Sequence, residues 1–120
     1  MIVYKVVSGK YSCYAEGSVL QCVYTLNKYT HMPAFKGAYG LMCFDTEENA
    51  RLFMEGGDGN KILECECDPA DILPNLPPRF YPSPTTVQNY LDYMRLADSY
   101  MEDWYPGTIC VRKLKPIKVL

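Results

Sequence analysis

The sequence has a single histidine, a single tryptophan and no long apolar segment, and these shortages narrow the functions open to it. No run of apolar residues approaches the ~20 that a transmembrane helix needs. The first five residues are typical of a strand, whereas a signal peptide opens on a basic segment followed by an apolar one. We therefore expect a cytoplasmic protein with no membrane partner.

An excess of charge of either sign is also missing. The 120 residues carry 12 Lys and Arg against 14 Asp and Glu, which gives a net charge of -2. A chain this close to neutral has no overall field that attracts a polyanion. We expect neither DNA nor RNA as a partner.

The lone histidine, His31, limits metal and nucleophile chemistry. A structural zinc site needs paired ligands with a second pair nearby, and the only close pair is Cys65 and Cys67 on one strand. A cysteine nucleophile needs a basic partner, for which His31 is the sole candidate. Residues 56–61 are glycine-rich but follow a predicted helix, whereas a P-loop lies between a strand and a helix. The sequence predicts no catalytic residue, no metal and no cofactor.

Cysteine, by contrast, is abundant. The even count permits disulfides, but each cysteine lies in an apolar, strand-like run, where a free thiol behaves as a small hydrophobic side chain. We predict reduced core thiols at all six positions: Cys13, Cys22, Cys43, Cys65, Cys67 and Cys110.

The clearest local structure is a strand, a turn and a helix within residues 40–55. Residues 40–44 are apolar almost throughout, which indicates a strand covered on both faces. Asp45 is predicted to cap the helix that follows, with Glu48 at its third position. The helix shows one apolar face and ends at the glycines of 56–57.

Further strands are predicted from β-branched residues and alternation. Residues 61–67 alternate cleanly, with the cysteines on one face and Glu64 and Glu66 on the other. Pro116 places the closing segment at a sheet edge, because proline donates no ladder hydrogen bond. The predicted strands are 2–7, 61–67, 109–114, 116–120 and a hairpin of 11–15 with 19–24, and 27–39 is predicted to be a loop.

Six prolines crowd the loop of residues 68–84, where they block both helix and ladder. A second helix is predicted over 85–101, apolar on more than one side, so that it is either buried or meets another chain. The sum is one α+β domain over residues 1–120. It has a mainly antiparallel sheet of five to seven strands and two helices packed on one face.

Two groups of residues are typical of anion or nucleotide binding. Aromatic, amide and cationic side chains gather at the tip of the proline-rich loop and on the next helix, where they are suited to stack a base and hold phosphates. The alternative is tyrosine packing in the core or at an interface. These candidates are Arg79, Phe80, Asn89, Tyr90 and Arg95.

The second group is the basic end of the chain, Arg112, Lys113, Lys115 and Lys118. Arg112 offers a planar fork that suits phosphate and joins the candidate ligand-binding residues. The alternative is a solvated edge strand whose lysines prevent aggregation.

A Tyr-Lys-Val strand opens the chain, and further elements follow in a definite order at residues 24–26, 29–33, 40–45, 48–53, 62–66, 106–108 and 111–116. This order resembles a group of small phage and prophage proteins. It is similar to the Thoeris anti-defence sponges, which sequester cyclic ADP-ribose-type immune signals without cleaving them. The resemblance implies a homo-oligomer in the cytoplasm of an infected bacterium. It also implies nucleotide sites between protomers, with aromatic stacking, Arg contacts to the diphosphate, and an aromatic and an Asn near the second helix, positions that Phe80 and Asn89 fit.

Three functions therefore stay open. The first is a module that binds and sequesters a small nucleotide signal. The second is an interaction protein whose helix over 85–101 binds a host protein. The third is a small enzyme of ADP-ribosyl chemistry, which would need an essential Glu64 or Glu66.

Overall fold

A computed structural model describes residues 1–9, 11–12, 22–32, 40–55, 59–76, 79–80, 86–88, 91–92, 101–102 and 104–120. These residues form nine strands, a complete α-helix and a short 3-10 helix. The strands are β1 (Ile2–Ser8), β2 (Tyr11–Ser12), β3 (Thr30–His31), β4 (Leu41–Phe44), β5 (Lys61–Glu66), β6 (Arg79–Phe80), β7 (Met101–Glu102), β8 (Thr108–Val111) and β9 (Lys113–Val119); the α-helix is α1 (Glu47–Glu55) and the 3-10 helix spans Pro69–Asp71.

Seven strands form one antiparallel sheet in the order β3-β9-β5-β1-β4-β8, with β2 paired to the end of β1. β6 and β7 form a separate two-stranded ribbon. Only Arg112 separates β8 from β9 in the chain, yet β8 pairs with β4 and β9 pairs with β5. The sheet is therefore strongly curled, because the consecutive strands β8 and β9 lie on opposite sides of β1. The prediction of an α+β fold with a mainly antiparallel sheet is confirmed.

The core lies on both faces of this curled sheet because its central strands alternate. Inward side chains, among them Val3, Leu63 and Leu114, form the larger buried cluster. Val6 and Ile62 point outward and pack with Phe44 beneath α1. The predicted alternation of 61–67 is confirmed, since the inward Cys65 and Cys67 are buried and Glu66 is exposed.

Helix α1 occurs where the sequence predicts it, but its cap differs. The hydroxyl of Thr46, rather than the carboxylate of Asp45, accepts the hydrogen bond from the Asn49 backbone N–H, at 3.1 Å. Asp45 is engaged elsewhere, because its carboxylate accepts from the Asn49 side-chain amide and its N–H donates to the Gly107 carbonyl. The capping residue is thus one position later than predicted. The buried Ala50 and the apolar face of α1 cover the outer side of the sheet.

The proline-rich loop has more regular structure than proline density predicts. Pro69 occupies the first turn of the 3-10 helix, where a missing N–H costs nothing, and Asp68 caps that turn through Ala70. Arg79–Phe80 pairs with Met101–Glu102. Because Met101 lies in a strand, the helix predicted over 85–101 ends before it. Of that helix, 87–88 and 91–92 are helical, and its other residues, except Thr86 and Met101, lie outside the described ones.

Two corrections concern the region of β3 and β9. Residues 30–31 form a strand within the predicted loop of 27–39. Pro116 was expected at an edge, but β9 lies between β3 and β5. The ladder tolerates Pro116 because the register shifts beside it, between Glu64 and Cys65, and its carbonyl accepts from the Asn27 N–H. The predicted hairpin of 11–24 falls mostly on residues 13–21, outside the described part; Tyr11–Ser12 pairs with β1.

Candidate functional site

The pairing of β3 with β9 places an aromatic row beside a basic row. Thr30 lies opposite Leu114, and both side chains are buried. His31 lies opposite Lys113, and alternation directs this pair to the outer face of the sheet. Tyr29 and Lys115 lie two residues away along their segments and therefore continue the same face. We call these four residues, Tyr29, His31, Lys113 and Lys115, the outer-face patch.

The tyrosine is the centre of the outer-face patch. The Lys113 Nζ lies 4.9 Å from the Tyr29 ring centroid, and the Lys115 Nζ lies 5.4 Å from it. The His31 ring centroid is 6.3 Å from that of Tyr29, with 44° between the planes. Each cation–π contact at an exposed site contributes about 0.5–1 kcal/mol. Two ammonium groups are therefore gathered around one ring that stays 50% exposed.

The segment that carries Tyr29 and His31 is held by backbone hydrogen bonds. The Met32 N–H donates to the Arg112 carbonyl at 2.8 Å, and the Asn27 N–H donates to the Pro116 carbonyl at 2.7 Å. The buried Thr30 hydroxyl donates to the Val23 carbonyl at 2.9 Å. Asn27 adopts a φ of 63°, a conformation that asparagine tolerates better than most residues. The patch is thus built on a supported strand rather than on a free loop.

The two lysines differ in their partners. Lys115 forms an ion pair with Glu66 at 3.4 Å, and the register places these residues opposite each other on β9 and β5. Among the described residues, no carboxylate lies within ion-pair distance of Lys113. Within this part of the chain, its positive charge is therefore open to an anion from solution.

Arg112, a predicted site residue, lies at the bend between β8 and β9, next to this patch in the chain. Its guanidinium donates to the Ala70 carbonyl at 3.2 Å and its backbone N–H donates to the Asp71 carbonyl at 2.9 Å. Those contacts attach the 3-10 helix to the sheet. Arg112 thus has a structural role in this fold, although its side chain is exposed.

The other predicted site residues are not gathered around the outer-face patch by any described contact. Arg79 and Phe80 form β6, whose partner is β7 and not a strand of the main sheet. Asn89, Tyr90 and Arg95 lie outside the described residues. Sequence reasoning found the basic end of the chain but missed Tyr29 and His31, which it placed in a loop.

The inner face of the sheet carries thiols around a buried lysine. Lys5 is 4% exposed; its Nζ donates to the Met42 carbonyl at 2.5 Å and lies 5.1 Å from the Tyr24 ring centroid. Burial raises the pKa of the Cys65 thiol to about 12 and that of Cys110 to about 11, with Lys5 acting in the opposite direction. Burial also raises the pKa of Cys43.

At neutral pH these groups are protonated thiols, which are poor nucleophiles and poor metal ligands. The prediction of buried, reduced cysteines holds for Cys43, Cys65, Cys67 and Cys110; Cys22 is free and half-buried, and Cys13 lies outside the described residues. Within the described part of the chain, no three His, Cys, Asp or Glu side chains are grouped as a metal site requires. No described helix has both the length and the apolar character needed to cross a bilayer.

Searches with the sequence and the fold found no matching family model, no matching curated protein and no matching solved structure.

Proposed function

We propose that this protein binds a small nucleotide-type ligand, an anion that carries a planar ring, and holds it without chemical change. The observation that carries the proposal is the outer-face patch, in which Lys113 and Lys115 flank the exposed ring of Tyr29. Aromatic side chains stack on bases, and ammonium groups contact phosphates. Tyr29 supplies the ring, and Lys113 supplies a charge that no described carboxylate compensates.

We propose binding without cleavage because of the nucleophiles available near the outer-face patch. The thiols of Cys43, Cys65 and Cys110 near Lys5 are buried on the inner face of the sheet. The half-buried Cys22 thiol donates to the His31 carbonyl, and burial raises its pKa, which makes it a poor nucleophile. The carboxylate at the patch, Glu66, is engaged by Lys115. None of these arrangements supplies an exposed nucleophile. Retention of the ligand is the function that these groups support best.

The resemblance to anti-defence sponges narrows the proposed ligand to a cyclic ADP-ribose-type or cyclic nucleotide signal and adds a homo-oligomer to the proposal. On that basis the protein acts in an infected bacterial cell and lowers the free concentration of the signal. Light scattering measures the oligomeric mass. If the protein is a monomer and still binds ligand, the outer-face patch remains the proposed site, and the proposal of sites between protomers is wrong.

The test is calorimetric titration with cyclic ADP-ribose isomers, cyclic dinucleotides and AMP, followed by recovery of the ligand. We expect saturable binding and an unchanged nucleotide. Tyr29→Leu should weaken binding by about 1–3 kcal/mol, roughly 5- to 150-fold, because the stacking platform is lost. Lys113→Ala should weaken it by a similar factor through loss of a charged contact.

Lys118→Ala is the matched control. It removes an exposed lysine from the same strand, beyond Pro116 and outside the patch. Binding that is equally strong in wild type, Tyr29→Leu and Lys113→Ala would contradict the proposed site. A ligand recovered in cleaved form would contradict retention and favour the enzymatic alternative.

One observation favours the second candidate, an interaction with a host protein. Val87 and Leu91 are each helical and are 40% and 42% exposed, and residues four positions apart share one side of an α-helix. Apolar side chains in this arrangement suit a helix that docks on a partner. A double substitution of both residues by Gln should abolish recovery of a host protein in pull-downs while nucleotide binding persists.

A further inference from the structure

We infer that Glu66 sets the ligand charge that the outer-face patch accepts, and that it does so by neutralising Lys115. The inference rests on the proposed function, since it concerns the same patch. Glu66 is the one carboxylate that the described residues place in an ion pair there. As far as the structure describes the chain, the patch thus presents one ammonium group without an ion-pair partner, Lys113, and one that already has an anionic partner, Lys115.

The geometry of this ion pair makes it a competitor for the ligand. Lys115 is shared between the Tyr29 ring, 5.4 Å from its Nζ, and the Glu66 carboxylate, 3.4 Å from it. Its side chain is 30% exposed and that of Glu66 is 51% exposed, so both reach solvent. An incoming phosphate must therefore displace a carboxylate from Lys115, whereas the described residues place no carboxylate at Lys113.

The consequence is that only the first phosphate of a ligand adds substantially to its affinity for the patch. A ligand with one phosphate places its charge against Lys113. Each additional phosphate charge approaches a Lys115 that Glu66 has neutralised, and it also approaches the Glu66 carboxylate itself. Wild-type protein should therefore show little gain in affinity along the series AMP, ADP and ATP.

Removal of the Glu66 charge should restore that gain. Two unit charges about 6 Å apart in water interact weakly, and salt at physiological strength reduces the interaction further. The repulsion between Glu66 and each added ligand charge should therefore lower affinity by about two- to threefold. Because AMP and ATP differ by about two charges at neutral pH, the ratio of ATP to AMP affinity should rise between about fourfold and tenfold in Glu66→Gln.

Glu64→Gln is the matched control. Glu64 lies two positions earlier on the same strand and face, opposite Lys118, and its substitution changes the net charge by the same amount. The exposed ion pair of Glu66 with Lys115 contributes little stability, and Glu64→Gln keeps the size of the side chain. Both variants should therefore fold, which circular dichroism and thermal melts verify. Affinities for AMP, ADP and ATP are measured by calorimetry at one pH and one salt concentration.

A four- to tenfold rise in the ATP-to-AMP ratio for Glu66→Gln, with less than twofold for Glu64→Gln, supports the inference. An unchanged ratio in Glu66→Gln overturns it, and so does an equal rise in both variants, since that reports net charge alone. If wild type and both variants bind none of the three nucleotides or the cyclic ligands, the proposed function fails and this inference fails with it. Binding without a Glu66 effect overturns the inference only.

Discussion

At the scale of single residues, the same side-chain type has different properties on the two faces of the sheet. Lys5 is buried on the inner face and is held by the Met42 carbonyl and the Tyr24 ring. Lys113, on the outer face, reaches solvent and lies over Tyr29. Burial also decides the chemistry of the cysteines, whose thiols keep their protons inside the sheet.

The raised pKa values predict a loss of stability at alkaline pH. The unfolded chain releases the Cys65 proton near the ordinary value of 9.0, whereas the native state holds it to about pH 12. Above pH 9 the unfolded state therefore binds fewer protons, and the free energy of unfolding should fall by ~1.4 kcal/mol per pH unit for each such thiol. Below pH 9 both states are protonated, and this contribution is fully present.

Urea titrations between pH 8 and 11 measure this slope. Cys65→Ala should fall less steeply than wild type by ~1.4 kcal/mol per pH unit. Val3→Ala, which opens a cavity opposite Cys65 without removing a thiol, should lower stability at every pH and keep the wild-type slope. Equal slopes in wild type and Cys65→Ala would show that the thiol is not held protonated by burial.

At the scale of elements, the turn before β8 fixes the start of α1. Gly107 has a φ of 77°, and the Thr108 N–H donates to the Tyr105 carbonyl, as a type II turn over residues 105–108 requires. The Gly107 carbonyl accepts from the Asp45 N–H. A Cβ at Gly107 would lie against Asn49 and 2.5 Å from the Asp45 carboxylate. Glycine is required there both for its φ and for its size.

A comparison of Gly9 with Gly107 distinguishes the requirement for a positive φ from the requirement for a small residue. Gly9 has a φ of 65° but no atom within 4 Å of an added Cβ. Gly9→Ala should cost about 1–2 kcal/mol from backbone conformation alone. Gly107→Ala should cost that amount plus about 1–3 kcal/mol from crowding against Asp45 and Asn49. Thermal melts of the two variants provide the measurement. Equal destabilisation would show that Asp45 and Asn49 move away from the added Cβ without loss of stability.

Elements with strong local signals were predictable from the sequence. Apolar 40–44, the alternation of 61–67 and the Pro-Gly turn at 106–107 each specify their structure through neighbouring residues. The cap of α1 was misassigned because Asp45 and Thr46 are both good caps, and the choice depends on the distant Gly107. The strand at 30–31 is too short to carry a pattern of its own.

At the scale of the whole molecule, the outer-face patch results from how the sheet curls. β3 pairs with β9 only because the chain bends at Arg112 after β8, so that β9 can lie between β5 and β3. Residues 29–31 and 113–115 are far apart in sequence, and no local pattern links them. This explains why the basic end was recognisable from the sequence and its aromatic partners were not.

The central claim is that an anionic, ring-bearing ligand binds at Tyr29. His31 is the only histidine in the chain, and its ring lies 6.3 Å from that of Tyr29. Its imidazole protons therefore give a single reporter in a proton NMR spectrum. We predict that a bound nucleotide from the calorimetric panel shifts these signals saturably, and that Lys113→Ala weakens the response while Lys118→Ala does not. Calorimetric binding that leaves the His31 signals unmoved would contradict the claim.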